Sequence, residues 1–197
     1  MIDPGTEDNT STSGETPYNC PACGSSVEMR CQQDNIPYFG DILEVSIVCG
    51  CGFKFVDTVI LGQKDPLRHQ MRVRSEGDLW ARVIRSTSGT IRIPEWGIDI
   101  EPGPASEAYI TNVEGIIERL QSVVNMARKW SETDEERRRA ESLLDTMQVA
   151  RDGKPDFTII IEDPLGNSAV IGEGVEVTKL SEDEADILPT GMFIVQK

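Results

Sequence analysis

The chain has 197 residues, of which 34 are acidic and 19 basic, giving a net charge of −15. That balance argues against a nucleic-acid binder, which needs a basic surface to displace counterions from phosphates. Its 38% hydrophobic and 27% charged residues describe an ordinary soluble protein, and apolar runs such as TIII at 158–161 are far too short to span a bilayer.

Residues 1–17 hold Ser, Thr, Gly, Glu and Asp with no basic cluster and no apolar stretch. They read as a disordered tail rather than a signal peptide, and the expected location is cytoplasmic. Next, at 18–65, comes a cysteine-bearing module with the layout of a zinc ribbon. CPACG at 20–24 is a knuckle, with Pro21 and Gly24 shaping a tight turn. A strand follows in which Val27, Met29 and Cys31 alternate. The loop DNIPYFGD turns the chain, and ILEVSIV brings VCGCGF at 48–53 back beside the first pair. Antiparallel return juxtaposes the two cysteine pairs, as tetrahedral coordination requires.

The second pair is unusually close. Zn–S bonds of about 2.3 Å put sulfurs roughly 3.8 Å apart, whereas an extended strand separates positions 49 and 51 by about 7 Å. The backbone has to bend between them, and Gly50 and Gly52 allow that. The expected ligands of one zinc ion are Cys20, Cys23, Cys49 and Cys51. Cys31 reads as a buried strand residue, with replacement of Cys49 as ligand the competing assignment. Four thiolates leave no open position, so the zinc is structural and stabilises the module by on the order of 10 kcal/mol.

Residues 66–197 form the second domain. Short alternating stretches at 70–75, 79–86 and 90–100, bounded by turn residues, are read as strands. So are 157–163, 168–171, 175–180 and 192–196. A helical hairpin at about 111–152 separates the two groups. Thr111 opens it as N-cap with Glu114 reaching back, and Val113, Ile116, Ile117, Leu120, Val123, Val124 and Ala127 form one apolar face. The second helix begins near Ser131, carries Ala140, Leu143, Leu144 and Met147, and stops at Gly153 and Pro155. The fold class is mainly β with α, a zinc ribbon followed by a double-stranded β-helix or barrel-like domain.

Catalytic signals are absent. His69 is the only histidine, which excludes a two-histidine iron site. No phosphate-binding GxxxxGK occurs, and every cysteine has a better use than as a nucleophile. ERRRA at 136–140 is the sole local basic run and reads as a solvated helix face. Ile36, Tyr38 and Phe39, at the ribbon's hairpin tip, are candidates for a partner contact or for packing against the β-domain. Trp96 in IPEW reads as core. EDPLGNS at 162–168 is a turn from which Asp163, Asn167 and Ser168 are candidates for a contact.

Taken in order, CPACG, IPYFGDI, VCGCGF, VIRSTSGTIRIPE, TNVEGII and FTIIIEDPLGNS resemble the zinc-finger ZPR family from about residue 18 to 172. The resemblance implies a zinc ribbon like that of translation initiation factor two beta, joined to a double-stranded β-helix domain with a helical hairpin. Eukaryotic members carry this module twice, so a single copy looks like the archaeal form. It also implies a protein that binds translation elongation factor one-alpha and assists its folding, without catalysis. The alternative is a zinc-ribbon protein associated with nucleic acid or transcription. Cys20 and Cys23 carry over from the family pattern directly. In that pattern the second pair is Cys-x-x-Cys before Gly and an aromatic residue, which places its first cysteine at Val48. Cys51 therefore matches, and Cys49 rests on the geometric argument alone.

Overall fold

The computed structural model describes residues 14–37 and 39–191. Most of the expected tail, Tyr38 and the strand expected at 192–196 lie outside the described residues. The chain divides into two compact units at Gly62 and Gln63.

The first unit is a four-stranded antiparallel sheet in the order β1 (Gly14–Asn19), β2 (Ser26–Ile36), β3 (Gly40–Val48) and β4 (Lys54–Ile60). β1 begins inside the stretch expected as tail. Edge position explains how it tolerates Pro17, whose nitrogen has no hydrogen to give a ladder. The expected alternation in β2 holds, with Val27, Met29 and Cys31 half-buried between exposed neighbours. Register then carries that face across the sheet: Tyr18 lies opposite Val27, Met29 opposite Ile47, Ile47 in turn opposite Phe55, and Cys31 opposite Val45. One face is thus apolar and the other mostly polar, as a period of two dictates.

The second unit builds two antiparallel sheets over one core. The larger uses β5 (Leu67–Val73), β7 (Thr90–Ile93), β8 (Ile98–Ile100), β10 (Phe157–Asp163) and β12 (Glu176–Lys179), in the order β12-β5-β10-β7-β8. The smaller runs β11-β6-β9, with β6 at Arg82–Arg85, β9 at Tyr109–Asn112 and β11 at Ala169–Ile171. Alternate residues of these strands point inward: Met71 and Val73, Ile91 and Ile93, and Phe157, Ile159 and Ile161 share a buried cluster with Val83 and Val170. Trp96 packs against Phe157 with ring centroids 4.4 Å apart, so it joins the core as expected. On the opposite face of β10, Glu162 sits between two cations. It accepts hydrogen bonds from Arg68 Nε at 2.7 Å and Arg92 Nε at 2.8 Å.

The hairpin comprises α1 (Val113–Trp130) and α2 (Asp134–Arg151). Its cap differs from the expectation. Thr111 is paired with Val83 inside β9, and Asn112 is the N-cap, accepting from the Gly115 N–H at 2.8 Å. Asn ranks with the best N-cap residues, and Thr111 was not free to serve. Glu114 meets Arg151 of α2 at 3.6 Å. α2 itself starts at a full capping box made by Thr133 and Glu136. The body-proximal half of α1 is buried through Val113, Ile116, Ile117 and Leu120, whereas Val123 is exposed. A short helix, α3 (Glu182–Asp186), follows β12.

Asp163 is the internal knot of this unit. It is fully buried, and its carboxylate accepts from the hydroxyls of Ser86 at 2.6 Å, Ser88 at 2.7 Å and Ser168 at 2.6 Å. The backbone N–H groups of Leu165 and Asn167 complete the set. These bonds tie the loop after β6 to the turn after β10. The same turn needs Gly166, with φ of 67°, because a Cβ there would meet the Asp65 carbonyl oxygen at 2.2 Å. Replacing Asp163 by alanine leaves three buried hydroxyls and two N–H groups without their acceptor. The expected loss is about 3–5 kcal/mol, read as a lower urea midpoint for this unit with zinc content unchanged.

Candidate metal centre

Two tight turns bring the cysteines together. In the first, the Cys20 carbonyl accepts from the Gly24 N–H at 2.8 Å, and the Cys20 N–H donates to Ser25 O at 2.9 Å. In the second, the Cys49 carbonyl accepts from Gly52 N at 3.0 Å, and Cys49 N–H donates to Phe53 O at 2.9 Å. Gly52 has φ of 96°, so the turn that leads the chain away after Cys51 uses a left-handed residue. Gly50 is not among the residues of positive φ, and only one of the two expected glycine freedoms is used.

The sulfurs of Cys20 and Cys51 are 3.8 Å apart, and those of Cys23 and Cys49 are 3.6 Å apart. All four lie within 4.8 Å of one another. These separations fit the roughly 3.8 Å edge of a tetrathiolate zinc site. The four cysteines are positioned to bind one metal ion. Cys31 is not in the cluster; it stands in mid-strand opposite Val45. Cys49, and not Cys31, therefore completes the group of four sulfurs. Cys20 and Cys49 are buried, while Cys23 and Cys51 are exposed.

The acidities of Cys23 and Cys49 move in opposite directions. The Ser25 hydroxyl, then the Ser25 N–H, lower Cys23 to about 6, with the neighbouring thiols helping. For Cys49 the Cys51 N–H acts to lower the value, but the Cys51 thiol, burial and the Cys23 and Cys20 thiols push it up to about 12. Without a cation the Cys49 thiol keeps its proton at neutral pH, and a bound dication has to displace it. When bound, zinc supplies charge neutralisation and a cross-link between the two turns. It offers no position to a substrate, since all four donors are protein sulfur.

The other residues singled out from the sequence fall elsewhere. Ile36 ends β2 and is half-buried, Phe39 is only 6% exposed, and Tyr38 lies outside the described residues. Asp163, Asn167 and Ser168 are all buried. This corrects the expectation of a contact at that turn: burial withdraws these groups from any partner, and the Asp163 oxygens are already engaged. His69 is buried as well. Desolvation lowers its pKa, the carbonyl of Val170 and the charge of Asp163 acting against the shift. A second cluster, Arg85, Tyr109 and Arg119, was not foreseen. Its members are 24 and 10 positions apart, and no periodicity connects them.

A metal-thiolate centre on a small sheet, ahead of a two-sheet β-domain, defines a zinc-finger protein with a jelly-roll-type partner unit. The ZPR1 jelly-roll domain matches residues 77–184. A ZPR1-like protein of Pyrococcus horikoshii is 42% identical over 183 residues, covering 90% of this chain and 82% of that protein. Another, of Methanocaldococcus jannaschii, is 40% identical over 180 residues, 90% of this chain and 91% of its own. The chain belongs to the ZPR1 family. Its similarity extends to the zinc finger chaperone zpr1 of Schizosaccharomyces pombe, 28% identical over 156 residues, or 76% of this chain and 34% of that longer protein.

Replacing Cys49 by serine is expected to abolish stoichiometric zinc binding, whereas the Cys31→Ser variant retains one zinc per chain; metal analysis after gel filtration separates the two. Because binding displaces protons, metal affinity falls as pH falls. Titrating the holoprotein from pH 8 to pH 5 in the presence of a colorimetric chelator should release zinc progressively, and loading the metal-free protein should acidify a weakly buffered solution.

Proposed function

We propose that this chain is a zinc-stabilised, non-catalytic binding or folding factor whose partner is the translation elongation factor one-alpha GTPase. One observation carries the binding part of this reading. A closed thiolate centre fastens a single-layer sheet whose apolar face is partly uncovered, with Tyr18, Phe55 and Val59 all exposed. Uncovered apolar surface of this kind marks a site of contact. The chaperone named among the relatives supports a role on other proteins, and the resemblance to eukaryotic ZPR members supplies the identity of the partner. No helix among the described residues is long and apolar enough to cross a membrane, which agrees with a cytoplasmic client.

The net charge of −15 favours a protein with a basic surface over nucleic acid. Zinc-loaded protein immobilised on a column should capture elongation factor one-alpha from native extract at low and moderate salt. Phe55→Asp and Val59→Asp variants should keep their zinc and lose most of that capture. No elongation factor in the eluate, at either salt, would falsify the partner assignment. Recovery of RNA with a steep salt dependence would favour the nucleic-acid alternative instead.

A further inference from the structure

The second unit carries a cationic spot with no ion-pair partner among the described residues. Arg85 is only 5% exposed, yet no carboxylate lies within ion-pair distance of it among the described residues. Its Nε donates to the Gly89 carbonyl at 2.8 Å, and its Nη2 is buried without a partner. The guanidinium lies 5.8 Å from the centre of the Tyr109 ring, and Arg119 of α1 stacks on the same ring at 4.4 Å. Arg119 likewise makes no ion pair among the described residues, although α1 pairs Glu114 with Arg151 nearby. Two arginines share one tyrosine in a protein with a large excess of carboxylates, and neither takes one. Withdrawing a guanidinium from water without an anion is costly, so the deficit marks a place where an anion arrives from outside.

The backbone beside this spot is also open. β9, which begins with Tyr109, is the end strand of the sheet β11-β6-β9, and no strand covers its outer edge among the described residues. Ile110, the next residue, is 47% exposed and points to the opposite face from Tyr109. An uncovered edge offers a row of N–H and C=O groups to an extended segment. On such a segment, the residue opposite Tyr109 projects on the side of Arg119. Its neighbour projects on the side of Ile110.

We propose that the β9 edge is a docking site for an extended acidic segment of a partner protein, added as a strand. A Glu or Asp side chain sits opposite Tyr109, between Arg119 and Arg85, and an apolar neighbour covers Ile110. The two arginines select the carboxylate, and the strand edge supplies the main-chain bonds. This site lies wholly within the second unit and does not depend on the identity of the partner proposed above.

Generic electrostatics predicts the opposite preference, because a chain of net charge −15 repels acidic peptides. That makes the test sharp. The probe is a fluorescein-labelled heptapeptide alternating valine and glutamate, compared by anisotropy with its Gln-for-Glu analogue on the full zinc-loaded chain. Wild-type protein should bind the glutamate peptide about tenfold more tightly, the scale of one charge-assisted hydrogen bond. Arg119→Gln, a surface change that leaves fold and zinc content intact, should collapse that preference. Methylating alternate peptide amides should remove binding altogether. A glutamine peptide that binds as well as the glutamate one overturns the proposal. So does a preference that survives in Arg119→Gln, or a methylated peptide that still binds.

Discussion

Four sulfur atoms held within 4.8 Å of one another are the constraint on which the first unit depends. Among its described residues the unit is one four-stranded layer, and hydrophobic burial within a single layer stabilises it little. The sulfur cluster compensates by joining the loop before β2 to the loop after β3. The acidities of two members differ widely: Ser25 draws Cys23 down to about 6, while the Cys51 thiol and burial push Cys49 up to about 12. A bound dication turns the cluster into a cross-link. The apolar face can then remain uncovered, which a self-sufficient domain would not allow.

The second unit solves the stability problem differently. Two sheets and a helical hairpin enclose a true core, and its two buried carboxylates are satisfied internally. Asp163 gathers three hydroxyls and two N–H groups, and Glu162 is clamped by Arg68 and Arg92. By contrast, Arg85 is a buried cation with no carboxylate in ion-pair distance among the described residues. The contrast between a satisfied Asp163 and an unsatisfied Arg85 is what separates a structural polar group from a candidate recognition group. Arg85 directly precedes the serine-bearing loop in sequence, whereas Asp163 meets it from 77 positions beyond Ser86.

These features supply two surfaces suited to recognition. Sulfur donors saturate the metal, the hydroxyls nearest a carboxylate are locked to it, and the sole histidine is buried. What remains accessible is surface: an apolar sheet face in one unit, and an open strand edge with two arginines in the other. Membership of a family that includes a named zinc finger chaperone fits that inventory.

Much of this was determined by the sequence alone, because it depended on local spacing. The two cysteine pairs, the period-two strands, the hairpin and the bend after Cys51 all follow from residues a few positions apart. Cys49 was legible as a ligand through the distance that a tetrahedral site imposes. Tertiary structure decided the rest. Thr111 had the composition of an N-cap, but pairing with Val83 drew it into a strand and passed the role to Asn112. Asp163 and Asn167 had the composition of an exposed turn, but the loop at 86–89 folded over them and buried them. Arg85, Tyr109 and Arg119 meet only because β6, β9 and α1 pack together. Short-range stereochemistry is written in neighbouring residues, whereas burial and the pairing of charges depend on segments brought together by the fold.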